Sequence, residues 1–489
     1  MRQLPIAHFA LFTMGALAAC HEDTSGGDAD MAAVDFAVLD LRPHDLAPSG
    51  PRDLSPVFPH GCVTPAQFPA SQGDGGVFGP NVRASLPSMT VFDAETELAV
   101  DPVSQHVMVA WIAVNQDGTS TIAVSTSSDN GASFPTAIAL PLDKLVDMTN
   151  SQSDPVVAVD SKGNFYVAWV GFDRTMANPN PINMAFFVAR SSDGGATFTL
   201  TQSSPAGEWS PNGILDKPWI AVSPLDDSLW MTWLRVDSVS SPYNLRLVRS
   251  TDGAKTWSAP MTISESAARP MYQRNLAQVA VGADGRALVT WVELQSQELG
   301  STVNRVYVQA LLGDGTLDGS NVQVTGATDS PVFDDPSLAI DGPNVYVGFV
   351  SGTPKGDWDV RVAASLDGGK TFAPSVKVND DPTCGTHYHQ QIAVDHSRNL
   401  HAIWFDNRYG AGSVMHAAAR PASMSGPLVF GANTFVNDAP FRFTTSRSST
   451  AWEGDYLGLV AAGGELYAAW TDPRIAATSR IWFARGLAP

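Results

Sequence analysis

Positively charged residues are scarce in this chain of 489 residues. Lys and Arg number 29 against 49 Asp and Glu, so the formal net charge is −20. A surface of this sign repels phosphate, and since the sequence has no basic run, we expect no nucleic-acid partner. Charged residues make up only 16%, against roughly 25% in average globular proteins. Walker, Rossmann and Gly-x-Ser-x-Gly motifs are absent, so nothing indicates nucleotide binding or a serine-hydrolase elbow.

Long hydrophobic runs are also missing, apart from one near the amino terminus. Residues 9–19 follow Arg2 and form an apolar stretch of the length found in signal peptides, too short for a membrane-spanning helix. We therefore predict that residues 1–19 are a signal peptide. Residues 17–20, Leu-Ala-Ala-Cys, resemble the lipobox of bacterial lipoproteins, which implies lipidation of Cys20. The alternative is an ordinary signal peptide followed by an incidental cysteine.

Residues 20–60 have the composition of a spacer. Asp30, Asp35, Asp40 and Asp45 each precede an apolar residue at a spacing of five, which matches neither helix nor strand, and four prolines follow between residues 43 and 56. We predict a disordered tether after the lipid. The protein would then be anchored to the bacterial cell envelope, at the outer membrane and facing the periplasm or the surface, with the lipid as its only membrane contact.

Cysteine is rare, with three residues in the whole chain. If Cys20 carries a lipid, Cys62 and Cys384 remain in an oxidising compartment, where a disulfide between them is one of two open outcomes.

A repeat dominates the remainder of the chain. Seven copies consist of an apolar strand, a short turn and a second strand that ends in an aromatic residue, at Trp111, Trp169, Trp233, Trp291, Phe349, Trp404 and Trp470. A strand pair at this regular spacing is typical of a propeller of four-stranded blades. We predict an all-β fold for residues 61–489, with seven blades favoured and six as the alternative. A strand near residues 81–84 would close the ring and cover both sheet edges.

Four copies continue through a third strand into a common turn motif, Ser-x-Asp-x-Gly/Ala-x-Ser/Thr-aromatic. In such a turn the Asp and Ser side chains satisfy backbone donors and Gly accepts a positive φ. The sequence therefore predicts structural roles for the carboxylates of Asp129, Asp193, Asp252 and Asp367.

These four motifs resemble the Asp boxes, or BNR repeats, of the sialidase (neuraminidase) superfamily. The resemblance covers about residues 93–489 and implies a β-propeller in which the Asp boxes are structural turns. It also implies an active site with three arginines for the substrate carboxylate, a tyrosine nucleophile assisted by glutamate, and an aspartic acid/base. The residues available for these roles are Arg174, Arg235, Arg408, Arg474, Tyr456, Glu453, Asp335 and Asp216.

In a propeller of this connectivity, first strands begin and second strands end on one face, the mouth, and the Asp boxes lie on the other. Carboxylates and arginines at the mouth suit an oxygen-rich ligand. The further binding candidates there are Glu97, Asp154, Lys217, Asp334, His387, His389, Asp455, Asp406 and Asp472. The structural alternative is that these groups pair with one another and stiffen the loops.

A metal site has only weak support in the sequence. His387 and His389 form a His-x-His pair, which zinc can use, and the adjacent Asp334 and Asp335 offer oxygen ligands for calcium. We predict no resident metal or cofactor, with calcium as the alternative.

Two functions remain open at this stage. The first is a monomeric envelope lipoprotein whose propeller mouth binds a glycan or an envelope protein. The second is an exo-α-sialidase or a related glycoside hydrolase. The sequence lacks the Arg-Ile-Pro-like motif that carries the first arginine in sialidases, so it favours binding and leaves catalysis undecided.

Overall fold

A computed structural model describes most of the chain after residue 76. The described residues are 77–86, 90–140, 150–173, 182–203, 208–238, 241–264, 272–296, 302–332, 334–352, 357–382, 385–409, 412–419, 428–442 and 452–488. The predicted signal peptide, Cys20, the tether, Cys62, Cys384 and Arg174 lie outside them. In the described part every regular element is a β-strand, and none of it forms a helix that could span a membrane.

The strands form seven antiparallel sheets, the blades of a β-propeller. From the axis outward, blade 1 contains β2 (Phe92–Val100), β3 (Val107–Val114), β4 (Ser120–Ser127) and β5 (Ala137–Ala139). Blade 2 contains β6 (Ser151–Val159), β7 (Phe165–Asp173), β8 (Ile182–Ser191) and an outer edge shared by β9 (Thr199–Ser203) and β10 (Trp209–Ser210). Blade 3 contains β11 (Ile214–Val222), β12 (Leu229–Val236), β13 (Asn244–Ser250) and β14 (Met261–Thr262).

Blades 4 to 6 repeat this order with four strands each. Blade 4 contains β15 (Tyr272–Val281), β16 (Ala287–Ser296), β17 (Thr302–Leu311) and β18 (Leu317–Gln323). Blade 5 contains β19 (Ser337–Asp341), β20 (Asn344–Gly352), β21 (Trp358–Ser365) and β22 (Val376–Lys377). Blade 6 contains β23 (His387–Val394), β24 (Leu400–Asp406), β25 (Ser413–Ala419) and β26 (Thr434–Phe435).

Blade 7 is built from both ends of the described chain. Its first three strands are β27 (Gly458–Ala462), β28 (Glu465–Ile475) and β29 (Thr478–Leu487), and its outer strand is β1 (Val82–Arg83). β1 pairs antiparallel with β29, with Val82 opposite Phe483 and Arg83 opposite Trp482. The predicted seven blades and the closing strand from the amino-terminal side are therefore confirmed, and the six-bladed alternative is wrong.

The core lies between the blades because both faces of each sheet are covered. Seven clusters of buried apolar residues occur in the described chain, and each joins two neighbouring blades. The seven repeat aromatics lie within the second strands, which continue beyond them instead of ending there as predicted. They are at most 2% exposed. Burying such side chains supplies most of the favourable free energy of folding. The repeat seen in the sequence is thus the spacing of core aromatics around the ring.

The four turns of the repeated motif share one set of hydrogen bonds. In blade 2, Ser191 Oγ donates to Asp193 Oδ1 at 2.7 Å, and the backbone N–H and hydroxyl of Thr197 donate to Oδ1 and Oδ2 at 2.9 and 2.6 Å. The turns at Asp129, Asp252 and Asp367 repeat this pattern. Both carboxylate oxygens therefore bind within their own turn.

Each of these turns also contacts the preceding blade. Gly195 has a φ of +89°, and a Cβ built on it would lie 2.2 Å from Thr126 Cγ2 in blade 1. Glycine is needed here both for the backbone conformation and for the close approach. The equivalent residue in blade 3 is Ala254, which adopts a φ of +67°, a strained conformation for a residue with a Cβ.

Candidate functional site at the propeller axis

The innermost strands are irregular where they begin at the mouth. The pairing between first and second strands shifts register in blades 1, 2, 3, 4 and 6, and one residue in each shift has a positive φ, namely Glu95, Asp154, Lys217, Leu276 and His389. Bulges re-aim side chains and are frequent at functional sites. In blades 5 and 7 the same position, two residues before the first paired residue of the inner strand, is occupied by Asp335 and Tyr456. We call these seven residues the axial ring.

Lys217 joins four blades at the centre of this ring. Its ammonium Nζ donates to Glu95 Oε1 at 2.9 Å, to Asp154 Oδ1 at 2.7 Å and to the Asp455 carboxylate. Burial alone would lower the pKa of Lys217, but the Asp154, Asp455 and Glu95 carboxylates outweigh it and hold the pKa well above its usual value. The three carboxylate oxygens lie within 4.8 Å of one another, a spacing suited to a metal ion, but the ammonium is bound among them.

Two further carboxylates of the ring region are buried and incompletely satisfied. Asn275 Nδ2 donates to Asp216 Oδ2 at 2.9 Å, whereas Oδ1 of Asp216 and Oδ1 of Asp335 have no hydrogen-bond partner among the described residues. Burial, reinforced by the charge of Asp154, raises the pKa of Asp216 to about 7. Burial also raises the pKa of Asp335 well above its usual value, against the opposing charge of Lys217.

Glu97 and Tyr456 complete the buried part of the axis. Burial raises the pKa of Glu97 to about 8, and its Oε2 likewise has no hydrogen-bond partner in the described chain. The Tyr456 hydroxyl donates to the carbonyl of Pro155 at 3.0 Å, and its ring lies edge-on to Trp219 with centroids 5.9 Å apart. Tyr456 is 4% exposed, so it acts as a packing residue in this conformation.

Four side chains at the beginnings of the inner strands of blades 6 and 7 remain accessible. Tyr388, His389, Glu453 and Asp455 are all half-buried, and we call them the mouth patch. The rings of Tyr388 and His389 pack edge to face at 4.9 Å. Burial, followed by the charge of Glu453, raises the pKa of Tyr388 well above its usual value. The charges of Glu453 and Asp455 also act on His389, so the four residues belong to one region of the mouth.

His389 is held by Asp334, as a catalytic or binding imidazole often is. Its Nδ1 lies 2.7 Å from Asp334 Oδ1, and its backbone N–H donates to Asp334 Oδ2 at 2.8 Å. Burial alone would lower the pKa of His389, but the carboxylates of Asp334, Asp455 and Glu453 raise it to about 9. His389 is therefore an imidazolium at neutral pH and presents a hydrogen-bond donor beside the carboxylates of the mouth patch.

The arginines of blades 6 and 7 are held by aspartates of their own strands. Arg408 donates through Nε to Asp406 Oδ2 at 2.9 Å and through a terminal nitrogen to Asp380 at 2.7 Å. Arg474 repeats this geometry, with Nε donating to Asp472 Oδ2 at 2.8 Å and a further bond to Asp438.

In these two blades the core tryptophan joins the same network. Trp404 Nε1 donates to Asp406 Oδ2 at 2.9 Å, and Trp470 Nε1 donates to Asp472 Oδ2 at 3.2 Å. The motif Trp-x-Asp-x-Arg therefore links the blade core to the mouth loops in blades 6 and 7.

Arg235 and His387, two further candidates from the sequence, are also bound to other groups of the protein. Arg235 pairs with Glu208 at 2.5 Å and with Asp237 at 2.8 Å. His387 lies 2.5 Å from the carbonyl of Trp358 through Nδ1, and its Nε2 is 3.2 Å from Asp381 and 3.4 Å from Asp406. Burial alone would lower the pKa of His387, but the Asp406 and Asp381 carboxylates raise it.

The structure thus divides the sequence candidates into two groups. Around the axis it brings together Glu97, Asp154, Asp216, Lys217, Asp334, Asp335, His389, Glu453, Asp455 and Tyr456. A second set binds groups of its own or the neighbouring blade, and no ion pair joins it to Lys217 in the described part of the chain: Arg235, His387, Asp406, Arg408, Asp472 and Arg474. Their functional roles stay predictions.

Sequence reasoning missed Glu95, Asn275 and Tyr388. Glu95 precedes Asp101 by six residues, as Asp154 precedes Asp160, so an alignment of the repeats would have placed it in the ring. No local signal marks Tyr388, because it looks like one more aromatic residue of an inner strand.

Comparisons with known proteins agree with this fold. No protein-family model and no curated protein matches the chain. Among solved structures, the chain is similar to an α-L-arabinofuranosidase from Fusarium graminearum (12% identity, 71% of this chain and 98% of that one, TM-score 0.51). It is also similar to a PL25 ulvan lyase (9% identity, 84% and 96%, TM-score 0.51). The NanB sialidase from Streptococcus pneumoniae aligns with 11% identity over 84% and 70% and a TM-score of 0.44.

At these identities the similarity concerns the fold. The chain has a β-propeller fold like that of carbohydrate-active proteins. Membership of the sialidase superfamily stays a prediction from the turn motifs.

Proposed function

We propose that the mouth patch binds a carbohydrate through its hydroxyl groups. The observation that supports this is the clustering of Tyr388, His389, Glu453 and Asp455, which are half-buried and act on one another electrostatically. Glu453 and Asp455 accept hydrogen bonds, the His389 imidazolium donates them, and the Tyr388 phenol can do both. Sugar hydroxyls also donate and accept, so such a mixed set suits them better than a set of one kind.

The ion pairs of the mouth favour a sugar without a carboxylate. The Lys217 ammonium binds the Asp455 carboxylate, and Asp334 lies 2.7 Å from the imidazole of His389. Arg235, Arg408 and Arg474 each pair with carboxylates of the protein. A sialic acid carboxylate would have to displace one of these pairs before it gained an arginine partner. We therefore infer that the preferred ligand lacks a carboxylate.

A glycan array with the full chain tests this proposal, followed by calorimetric titration of the best neutral glycan. Glu453→Gln and Tyr388→Phe should each weaken binding by about tenfold, since one hydrogen bond to a charged or polar group is worth about 1.4 kcal/mol or more. Asp117→Asn, at an exposed loop position, is the control and should bind normally. A flat array, or equal affinity of all variants, would contradict the proposal.

Glycoside hydrolysis is a second candidate, supported by the titration of the axial acids. Asp216 has its pKa raised to about 7, and a carboxylic acid kept protonated beside ionised carboxylates is the pattern of a general acid. The resemblance to sialidases implies a tyrosine assisted by a glutamate. Tyr388 beside Glu453 fits that pair better than Tyr456, since the Tyr456 hydroxyl is bound to a backbone carbonyl.

Fluorogenic glycosides separate catalysis from binding. The full chain would be assayed on an α-L-arabinofuranoside, an α-sialoside and a set of neutral hexosides. Turnover that disappears in Tyr388→Phe but persists in Asp117→Asn would support hydrolysis. Binding without turnover on every substrate would leave the binding function alone.

We also propose that a lipid on Cys20 holds the propeller at the cell envelope. The support is the lipobox-like sequence before Cys20 and the acidic spacer after it. Metabolic labelling with an alkynyl fatty acid should mark the protein, and Cys20→Ser should remove the label and release the protein from membranes. A label that survives this substitution would contradict lipidation at this residue.

A further inference from the structure

One buried carboxyl group of the axial ring has an oxygen without a partner in the protein. Asp335 is 4% exposed, and its Oδ1 has no hydrogen-bond partner among the described residues. Leaving a buried polar atom unpaired destabilises the fold. Proteins retain such costs mainly at functional sites, where a ligand completes the missing hydrogen bond.

Hydrogen bonds between blades 5 and 6 fix Asp335 beside His389. The preceding residue, Asp334, accepts from the backbone N–H of His389 at 2.8 Å and lies 2.7 Å from its Nδ1. Gln390 Nε2 donates to the backbone carbonyl of Asp335 at 2.8 Å, and Ser337 Oγ donates to Gln390 Oε1 at 2.5 Å. Asp335 is therefore held next to the mouth patch by both neighbours of its peptide segment.

The charges that act on the Asp335 carboxyl indicate the space that it faces. Among these charges that of Lys217 acts most strongly, followed by Asp334, Asp455 and His389. The side chains of Asp455 and His389 are 20% and 14% exposed, so these two groups reach the mouth. The carboxyl thus lies between the axial ammonium and the mouth patch, below the accessible side chains.

The axial ammonium does not supply the missing hydrogen bond. An ammonium has three donors, and those of Lys217 bind Glu95, Asp154 and Asp455. Asp335 therefore experiences the charge of Lys217 without accepting a hydrogen bond from it. A partner for its oxygen has to enter from the mouth.

A hydroxyl group suits this position in either protonation state of the carboxyl. Burial raises the pKa of Asp335 well above its usual value, against the opposing charge of Lys217. The protonated form donates a hydrogen bond, whereas the ionised form only accepts. A hydroxyl group accepts from the first form and donates to the second, so it fits both.

We propose that Asp335 forms the floor of the carbohydrate site and hydrogen-bonds one hydroxyl group of the bound sugar. This inference rests on the function proposed for the mouth patch and adds selectivity to it. A sugar without that hydroxyl group would leave the buried carboxyl unpaired. Sites built to hydrogen-bond a substrate hydroxyl discriminate strongly against analogues that lack it.

Monodeoxy sugars test this role by calorimetric titration of the full chain. The probes are the methyl glycosides of galactose, glucose, mannose, xylose, fucose and α-L-arabinofuranose, followed by the monodeoxy derivatives of the tightest binder. With the wild type, one derivative should bind at least tenfold more weakly than its parent sugar. With Asp335→Ala, the parent sugar should lose at least tenfold in affinity and bind no better than that derivative.

Further variants separate the hydrogen bond from the fold. Asp335→Asn keeps the shape of the side chain and can both donate and accept, so it should retain the affinity within about threefold. Asp335→Ser is polar but too short to reach the same hydroxyl group, and it decides the question if Asp335→Ala does not fold. Asp117→Ala, at an exposed loop position, is the control and should bind as the wild type does.

The possible failures of the two proposals can be told apart. Unchanged affinity in folded Asp335→Ala would overturn the role of Asp335 and leave the carbohydrate site in place. Discrimination against the deoxy sugar that persists in this variant would assign the hydroxyl group to another residue. Absence of saturable binding of all six glycosides by the wild type would also overturn the inference, and a flat glycan array in addition would overturn the proposed function.

Discussion

Carboxylates line both faces of this propeller, but the two faces treat them in opposite ways. At the turns far from the mouth, Asp193 lies on the surface and accepts a hydroxyl or backbone hydrogen bond on each oxygen. At the axis, Asp216 is buried and one of its oxygens has no hydrogen-bond partner in the described chain. The aspartate side chain is thus fully hydrogen-bonded on one face and incompletely hydrogen-bonded on the other.

The direction of the pKa shifts follows this difference. Hydrogen bonds to the charged form lower the pKa of Asp129 and Asp193 to about 2. At Asp367 burial is the largest single effect and raises the pKa, but the hydrogen bonds together outweigh it and lower the pKa to about 2 as well. Burial raises the pKa of Asp216 to about 7 and that of Glu97 to about 8. Perturbed groups of the second kind cluster at functional sites. Sequence counts of acidic residues cannot separate the two classes, because the difference arises from partners and burial.

Removal of the axial ammonium should have the largest effect on stability and tests this contrast most directly. Lys217→Met would leave the close carboxylates of Glu95, Asp154 and Asp455 without this cation, and the first two are buried. Breaking a buried ion pair from one side costs about 3–5 kcal/mol, so the free energy of unfolding in urea should fall by about that amount.

A surface lysine supplies the matched control for this change. Lys162 is 70% exposed as a side chain and pairs with Asp227 at 2.7 Å, and exposed ion pairs contribute little to stability. Lys162→Met should therefore change stability little. Similar losses in the two variants would show that the ion pairs of Lys217 contribute no more to stability than a surface pair does.

The pH dependence of stability is the second test. The pKa of Glu97 is raised from 4.5 to about 8, so its contribution is fully present below pH 4.5 and is lost as the pH rises through 8. A tenfold change in a proton-binding constant corresponds to about 1.4 kcal/mol, so we expect the free energy of unfolding to fall by a few kcal/mol between pH 5 and about pH 8.5.

Glu97→Gln should reduce this fall in the free energy of unfolding between pH 5 and about pH 8.5. Urea unfolding at the two pH values measures this change. The control Asp117→Asn should keep the wild-type slope. An unchanged slope in Glu97→Gln would assign the alkaline loss to another group.

Much of the fold follows from the sequence because it repeats. The spacing of Trp111, Trp169 and the later aromatics gives the number of blades, and the segment near Val82 gives the closing strand. Each of these features depends on local patterning, which a single sequence displays.

The site was predictable only in part, for a physical reason. The sequence places Asp154, Lys217 and Asp455 at the mouth, but a bulge with positive φ turns the Lys217 side chain into the axis. The partners of Arg408 and Arg474 depend likewise on aspartates in other loops, Asp380 and Asp438. Side-chain direction and long-range pairing decide which candidates meet, and neither has a local signature.

The smallest expected effect is on the face opposite the mouth. Asp193→Ala removes the acceptor for Ser191 and Thr197, but the position is exposed and water can replace the carboxylate. We expect a loss of about 1 kcal/mol in the free energy of unfolding, with glycan binding unchanged. The free energy of unfolding of this variant should also fall less in acid. A group whose folded pKa is lowered contributes stability above its unfolded pKa, and this contribution disappears as the pH falls towards 2. Asp117→Asn controls for the loss of one surface charge in the binding measurement. If Asp193→Ala weakened glycan binding as strongly as Glu453→Gln, the separation of structural and functional carboxylates between the two faces would be wrong.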